Sequence, residues 1–380
     1  MKLNMFDFIL HIILLLFTFY ALARVVDVFF VETLEIISKR LKLSSDIAGA
    51  TFMAVGSSAP ELFVSFLALF KVAESAQSIG AGTIVGSAIF NILVIIGVSA
   101  LFRQALLTWQ PVVRDLIFYS VIILVLLLTF MDGYITLGDA LIFVGFYVVY
   151  LLSFGLWKKL FPYETKGDKQ HEYDENGESE QDKVRKADLN WKNAFDKLLA
   201  LVFVDLKKKP NWYLVNFVIA IIMLGVLSHY MVESAVEIAH YMGISEVIIS
   251  LTILAAGTSV PDLLSSINVA KKGRGDMAIA NAVGSNIFDI AIGLGLPWVI
   301  VLLYRQKQIA VATENLYSSV VLLFATVFAL LFLLLMKKWE MGRYAGILLV
   351  GAYIFYVLSQ IGIIELNICF NVYGHHCFVL

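Results

Sequence analysis

Apolar residues in this chain run in long blocks rather than in the short alternations of a soluble fold. Ten blocks can be drawn, at about 8–30, 46–70, 79–102, 112–130, 136–157, 212–236, 245–269, 278–304, 311–336 and 343–364. Each is long enough to cross a hydrocarbon layer as a helix of roughly 20 residues. No barrel-type alternation runs through them, and a helix satisfies its backbone bonds within one segment, so the blocks predict membrane helices. The first block begins like a signal peptide, "MKLNMFDFILHIILLLFTFYALA", but its apolar pattern runs on through "RVVDVFFVETLEII" and predicts an uncleaved first helix. One long polar stretch interrupts the pattern. Residues 161–211 carry eleven acidic and ten basic side chains and predict a solvated linker. Its last part, Phe195, Leu198, Leu199, Val202, Phe203 and Leu206, has i, i+3, i+4 spacing ahead of Lys207–Lys209. It reads equally as an interfacial amphipathic helix or as the lead-in to the sixth span.

Composition agrees. Of 380 residues, 60% are hydrophobic and 15% charged, with a mean hydropathy of +0.85, a balance no soluble domain could bury. The net charge of −2 says little, but its distribution says more. Lys39, Arg40, Lys42, Arg103, Arg114, Lys271, Lys272, Arg274, Lys337, Lys338 and Arg343 fall in alternate loops; the other loops hold only Lys2, Lys71, Arg305 and Lys307. Eleven against four predicts a cytosolic linker and extracytosolic termini. Cys369 and Cys377 lie in the C-terminal tail and imply neither a disulfide scaffold nor a metal cluster; they read as free thiols, with pairing to each other in an extracytosolic tail as the alternative. Arg24 and Asp27 in span 1 are expected to pair or to snorkel, and Glu233 and Glu237 to lie at the outer interface.

Inside the apolar blocks one odd stretch occurs twice. "ATFMAVGSSAPELFVSFLALF" (50–70) aligns with "LTILAAGTSVPDLLSSINVAK" (251–271), and "GTIVGSAIFNILVIIGV" (82–98) with "ANAVGSNIFDIAIGLGL" (280–296). Five spans precede the linker and five follow it, so the second half enters the membrane from the opposite side. The predicted fold is an all-α membrane protein of ten transmembrane helices, arranged as two inverted five-helix repeats with broken helices at the midplane. Residues 1–160 form the first half with its repeat at 45–102, residues 212–365 the second with its repeat at 245–298, and 366–380 a tail.

The chemistry follows from the broken helices. Pro60 and Pro261 lack an N–H, and each ring clashes with the carbonyl four residues back, at Gly56 and Gly257. A kink or unwinding there frees backbone carbonyls, tolerable at that depth only around a cavity or a ligand. Beside them stand the hydroxyls of Ser57, Ser58, Thr258 and Ser259 and the carboxylates of Glu61 and Asp262. Thr83, Ser87 and Asn91 recur at spacing four, as do their mates Asn281, Ser285 and Asp289, giving polar stripes on two further helices. Gly82, Gly86, Gly284 and Gly293 would let these helices pack closely. Carbonyl, hydroxyl and carboxylate oxygens suit a hard cation such as calcium. Ionisable groups at this depth default to function.

These motifs, "GSSAPEL", "GSAIFNILVIIG", "LAAGTSVPDL" and "GSNIFDI", resemble the cation/calcium exchanger superfamily, most of all the potassium-dependent sodium/calcium exchangers. The resemblance implies an antiporter that exchanges sodium for calcium by alternating access, with no cofactor beyond the transported ions, in the plasma membrane. It implies Glu61 and Asp262 as calcium-coordinating carboxylates, with hydroxyls from Ser57, Ser58, Thr258 and Ser259. Carbonyls of Ala54 and Ala255 would serve sodium, with Ser87, Asn91 and Ser285 completing the site and Asp289 setting potassium dependence. Charge counting points the same way. Glu61, Asp262 and Asp289 sum to −3 if ionised, and calcium plus potassium sum to +3. Expected partners are inorganic cations and the lipid bilayer, not nucleic acid. Two readings stay beside this one: a calcium/proton or potassium-independent sodium/calcium exchanger on the same scaffold, and a membrane enzyme using the buried acids. No serine–histidine pairing supports the enzyme, and the chain is read as a transporter.

Overall fold

The computed structural model describes residues 5–41, 54–70, 74–102, 104–162, 198–199, 201–204, 206, 210–271, 275–305, 308–311, 313–361, 367–368 and 378–379. Helix α1 (Met5–Val25) passes through a π-helical turn (Val26–Phe30) into α2 (Val31–Arg40). The first broken span is α3 (Ala54–Ser57) and α4 (Ala59–Ala68). Helix α5 (Glu74–Phe90) then runs through a π turn (Asn91–Ile95) into α6 (Ile96–Phe102), and α7 (Trp109–Phe130) and α8 (Leu137–Leu160) complete the first half. The second half repeats this order. After α9 (Tyr213–Met242), the broken span comprises α10 (Glu246–Ile249), a π turn (Ser250–Leu254), α11 (Ala255–Thr258) and α12 (Val260–Lys271). Helix α13 (Gly275–Phe288), a π turn (Asp289–Leu294) and α14 (Gly295–Arg305) follow, then α15 (Thr313–Met336) and α16 (Arg343–Gln360).

Among the described residues, eight helices are long and apolar enough to cross a membrane. The two expected spans that fall short of this are 46–70 and 245–269, which carry Pro60 and Pro261 and contribute only the shorter apolar helices Ala59–Ala68 and Glu246–Thr258. The breaks are narrower than the proline clash predicts. Only Ser58 (φ −92°, ψ 9°) and Ser259 (φ −86°, ψ 2°) leave the helix. It resumes at once, with Leu62 N donating to Ser58 O and Leu263 N to Ser259 O, both at 3.0 Å. Pro60 sits in the first turn of α4, where its missing N–H is not needed. Of the two expectations, a kinked or an unwound helix, the described residues show a kink of a single residue in each half.

Short strands sort the loops onto two faces. On the first face, β1 (Ala105–Leu106) pairs with β4 (Glu340–Met341). Lys271 lies over the Phe102 ring at 4.7 Å, Trp157 Nε1 donates to Gln110 O at 2.8 Å, and Arg40 Nη2 donates to Asn211 Oδ1 at 2.9 Å. On the second face, β2 (Tyr134–Ile135) pairs with β3 (Ile309–Ala310). Arg305 lies over the Phe70 ring, and Tyr241 Oη donates to Met5 Sδ. The chain therefore alternates between the faces, and its two halves start from opposite ones. The basic residues Arg40, Lys271, Lys337, Lys338 and Arg343 all fall at the first face. Arg114 does not join them in solvent. It is buried, with Nε 2.8 Å from Asp115 Oδ1 and its guanidinium 3.7 Å from the Phe154 ring, so this loop-flanking charge is neutralised inside the bundle.

Apolar packing forms two clusters. The larger joins α5 to α8 and α13 to α16 around Tyr119, Phe143 and Trp298. The smaller joins α1, α2 and α9 with the inner face of α4. The end of the linker docks on the smaller cluster. Phe203 stacks on Phe29 at 3.8 Å, Leu199 and Leu206 are buried, and the Asn216 side chain bonds both the N–H and the C=O of Val204 at 2.8 Å. Of the amphipathic set, Leu199, Phe203 and Leu206 therefore face protein, while Leu198 and Val202 are exposed. Phe195, Lys207–Lys209, the side chain of Asp27, and Cys369 and Cys377 lie outside the described residues.

Candidate cation site

The two kinks bring the two repeats together. Ser58 ends the break before α4 and Ser259 the break before α12, so Glu61 and Asp262 both stand in a first helical turn. A helix N-terminus carries partial positive charge and unpaired N–H groups, which suits a carboxylate there. Glu61 is 1% exposed and Asp262 4%. Glu61 Oε1 accepts from Ser259 Oγ at 3.2 Å and from Ser87 Oγ at 3.3 Å, and those hydroxyls lie 2.6 Å apart. Residues of both halves thus meet at one carboxylate oxygen. Asn91 extends the contact. Its Nδ2 donates to Asn286 Oδ1 at 2.8 Å and to Ser285 Oγ at 3.4 Å.

The other side of this cluster consists of unpaired oxygens. Glu61 Oε2, both carboxylate oxygens of Asp289, Asn91 Oδ1 and Ser58 Oγ are buried with no hydrogen-bond partner. Asp289 sits beside Ser58, outside hydrogen-bond geometry, and within electrostatic range of Glu61 and Asp262. Its π turn packs directly against α4. Buried oxygens in an apolar interior are costly unless something positive meets them. Apart from the Ser58 hydroxyl beside Asp289, no donor among the described residues meets these oxygens in hydrogen-bond geometry, so the arrangement fits a cation, hydrated or bare. Among the described residues no three acidic, histidine or cysteine side chains close into a metal-holding group. The cluster is instead mixed, with hydroxyls and amides between the acids.

The other predicted residues fall as follows. Thr258 is buried and its Oγ1 donates to the Ala255 carbonyl at 3.2 Å, which also accepts from Ser259 N at 3.3 Å. A sodium ion at that carbonyl therefore has to displace or share one of these bonds. Ser57 is half-buried, and Ala54 opens α3, its side chain lying outside the described residues. Ser285 donates to Ala282 O at 3.3 Å. Thr83 is buried but turned back to Ile79 O, and Asn281 is exposed, so the outer rung of each expected stripe does not reach the cluster. Gly86 keeps α5 tight on the second broken span, since a Cβ there would meet the Leu251 backbone and come within 2.7 Å of Ala255 Cβ. A Cβ on Gly257 would run into the ring of Phe19. Gly284 has open space, so close packing does not explain it.

Asn286 and Tyr119 were not anticipated. Asn286 Nδ2 donates to Ala88 O at 3.1 Å and to Tyr119 Oη at 2.9 Å while its Oδ1 receives Asn91, so it fixes Asn91 in place. The signal was present, since Asn286 is a polar residue inside "GSNIFDI", but its repeat mate is Ala88 and duplication does not mark it.

A sequence profile of the sodium/calcium exchanger protein family matches residues 11–156 and 212–362. The chain belongs to this family. It is 28% identical to sodium/potassium/calcium exchanger 2 of Rattus norvegicus, over 93% of this chain and 78% of that protein. It is 29% identical to sodium/potassium/calcium exchanger 4 of Homo sapiens, over 95% of this chain and 82% of that protein. Among solved structures, the H+/Ca2+ exchanger CAX superposes with a TM-score of 0.67 at 16% identity, covering 92% of this chain and 82% of that one. The sodium-calcium exchanger NCX_Mj superposes with a TM-score of 0.54 at 24% identity, covering 93% of this chain and 99% of that one. These likenesses establish an exchanger fold. The resemblance read from the repeat motifs is therefore shown at the level of the family.

Proposed function

We propose that this exchanger-family chain is a secondary antiporter. It moves calcium against sodium, with potassium accompanying calcium, by exposing one central site alternately to the two faces. The observation that carries the reading is the set of orphaned acceptor oxygens on Glu61, Asp289, Asn91 and Ser58, at the meeting point of two kinked helices. Glu61 and Asp262 hold calcium, with Ser57, Ser58, Thr258, Ser259, Ser87, Asn91 and Ser285 supplying further oxygens. The carbonyls of Ala54 and Ala255 take part when sodium replaces calcium. Asp289 supplies the third negative charge, which potassium neutralises. The names of the relatives, sodium/potassium/calcium exchangers, support the choice of ions over the proton alternative. The concentration of basic residues supports reading the first face as cytosolic, with the linker on that side; the plasma membrane is the reading that the resemblance suggests.

Calcium flux in vesicles, with sodium and potassium varied independently on each side, tests this. An outward sodium gradient should drive calcium uptake, potassium on the calcium side should stimulate it, and a pH gradient alone should not. Uptake driven by the pH gradient alone selects the calcium/proton exchanger instead. Asp289→Asn should keep sodium-driven exchange but lose its response to potassium, and an unchanged response removes Asp289 from that role.

A further inference from the structure

Ser65 and Ser266 lie four residues beyond the carboxylate of their own repeat. Ser58, Glu61 and Ser65 therefore share one helix face, as do Ser259, Asp262 and Ser266. Ser65 is 1% exposed and Ser266 2%, and neither hydroxyl has a hydrogen-bond partner. Several other buried helical hydroxyls in this bundle turn back to a carbonyl one turn earlier. Ser250 does so to Val247, Thr252 to Ile248 and Thr326 to Leu323. Ser99, Ser228, Ser234 and Ser359 also lack partners, but no two of those are repeat mates.

The direction of the helices gives the pair its meaning. From the central acids, α4 runs to the second face and α12 to the first, so the two hydroxyls stand on opposite ways out. Ser65 lies against α5 at Gly80, where a Cβ would fall 3.0 Å from its Oγ. Gly80 is seven residues before Ser87 and on the same face of α5. The face of α5 that carries Ser87 against Glu61 thus also meets Ser65, backbone against backbone, further toward the second face.

We infer that Ser65 and Ser266 are transit ligands. Each takes one coordination place of the cation as it leaves the central site, Ser65 toward the second face and Ser266 toward the first. This rests on the exchange reading above. The test measures calcium dependence of flux at each face, using right-side-out cells and inside-out vesicles, for Ser65→Ala, Ser266→Ala and the Ser→Thr pair. Ser65→Ala should raise the apparent KM for calcium about threefold or more at the second face alone, and Ser266→Ala at the first alone. The threonine variants, which keep the hydroxyl, should behave as wild type. Equal shifts at both faces, or none at either, overturn the inference. Should an alanine variant fail to reach the membrane, Ser65→Cys and Ser266→Cys replace it in a chain without Cys369 and Cys377. Loss of flux to a thiol reagent from the assigned face only supports the inference, and any other pattern overturns it. Wild-type chain is measured alongside. Absent sodium-driven calcium flux there sinks the exchange reading, whereas normal wild-type flux with face-blind variants sinks only the transit assignment.

Discussion

Glu61 is anchored at one oxygen and open at the other. The anchor comes from Ser87 in the first half and Ser259 in the second, so the side chain is fixed before any ion arrives. An amide at this position still accepts from both hydroxyls but lacks the charge a cation needs. Removing one partner of a buried charge pair costs about 3–5 kcal/mol, which is roughly two to four powers of ten. Glu61→Gln should therefore lower calcium flux by about that factor while its yield and thermal unfolding stay near wild type, as flux per mole of protein and a melting curve would show. The acids and the serines were legible because each occurs twice in matched surroundings. Asn286 was not, since its mate Ala88 is apolar and only the folded packing brings it to Asn91 and Tyr119.

The broken spans show what a proline does and does not dictate. The breaks at Ser58 and Ser259 were legible from Pro60 and Pro261, but their extent was not, because proline fits the first turn of a new helix and the chain uses that option. The π turns had no mark in the sequence at all. Two of them begin at Asn91 and at Asp289, repeat mates that both belong to the candidate site. A π turn adds a residue to a helix and often marks a functional position. Its hydrogen-bonding depends on tertiary packing rather than on residue type, so no local pattern announces it. Of the other two, Val26–Phe30 lies in the first span, and Ser250–Leu254 is the one that Gly86 presses against. A branched side chain there would push into the Leu251 backbone, and overpacking of this kind costs about 1–3 kcal/mol. Gly86→Val should lower the melting temperature of the purified protein and reduce flux. Gly284→Val, at a position with open space, should change stability less.

Eight of the ten apolar blocks are membrane-length helices among the described residues and were legible as such, and the two faces follow from loop contacts that no sequence pattern shows. Strands β1 and β4 tie the third and ninth loops together within the larger apolar cluster, which contains both Ala105 and Met341. Paired antiparallel residues lie at a separation a disulfide can span. Ala105→Cys with Met341→Cys should therefore cross-link, visible as a gel shift without reductant, and leave calcium flux intact. Loss of flux on oxidation would mean that this cluster itself must deform. The smaller cluster differs in its proportions. Helix α9 has 30 residues, and the continuous apolar stretch Met5–Leu34 beside it also has 30. At about 1.5 Å per residue each reaches about 45 Å, against roughly 30 Å of hydrocarbon. Phe6, Ile13 and Leu16 on one and Val218, Ile222 and Val226 on the other are exposed along that length. The surplus is absorbed by lean or by swelling of the surrounding acyl chains, and each carries a modest energetic cost. Membrane thickness thus acts on these two rods as a mechanical load. Reconstitution into short-chain and long-chain phosphatidylcholine should alter the turnover rate while leaving the calcium concentration for half-maximal flux nearly constant.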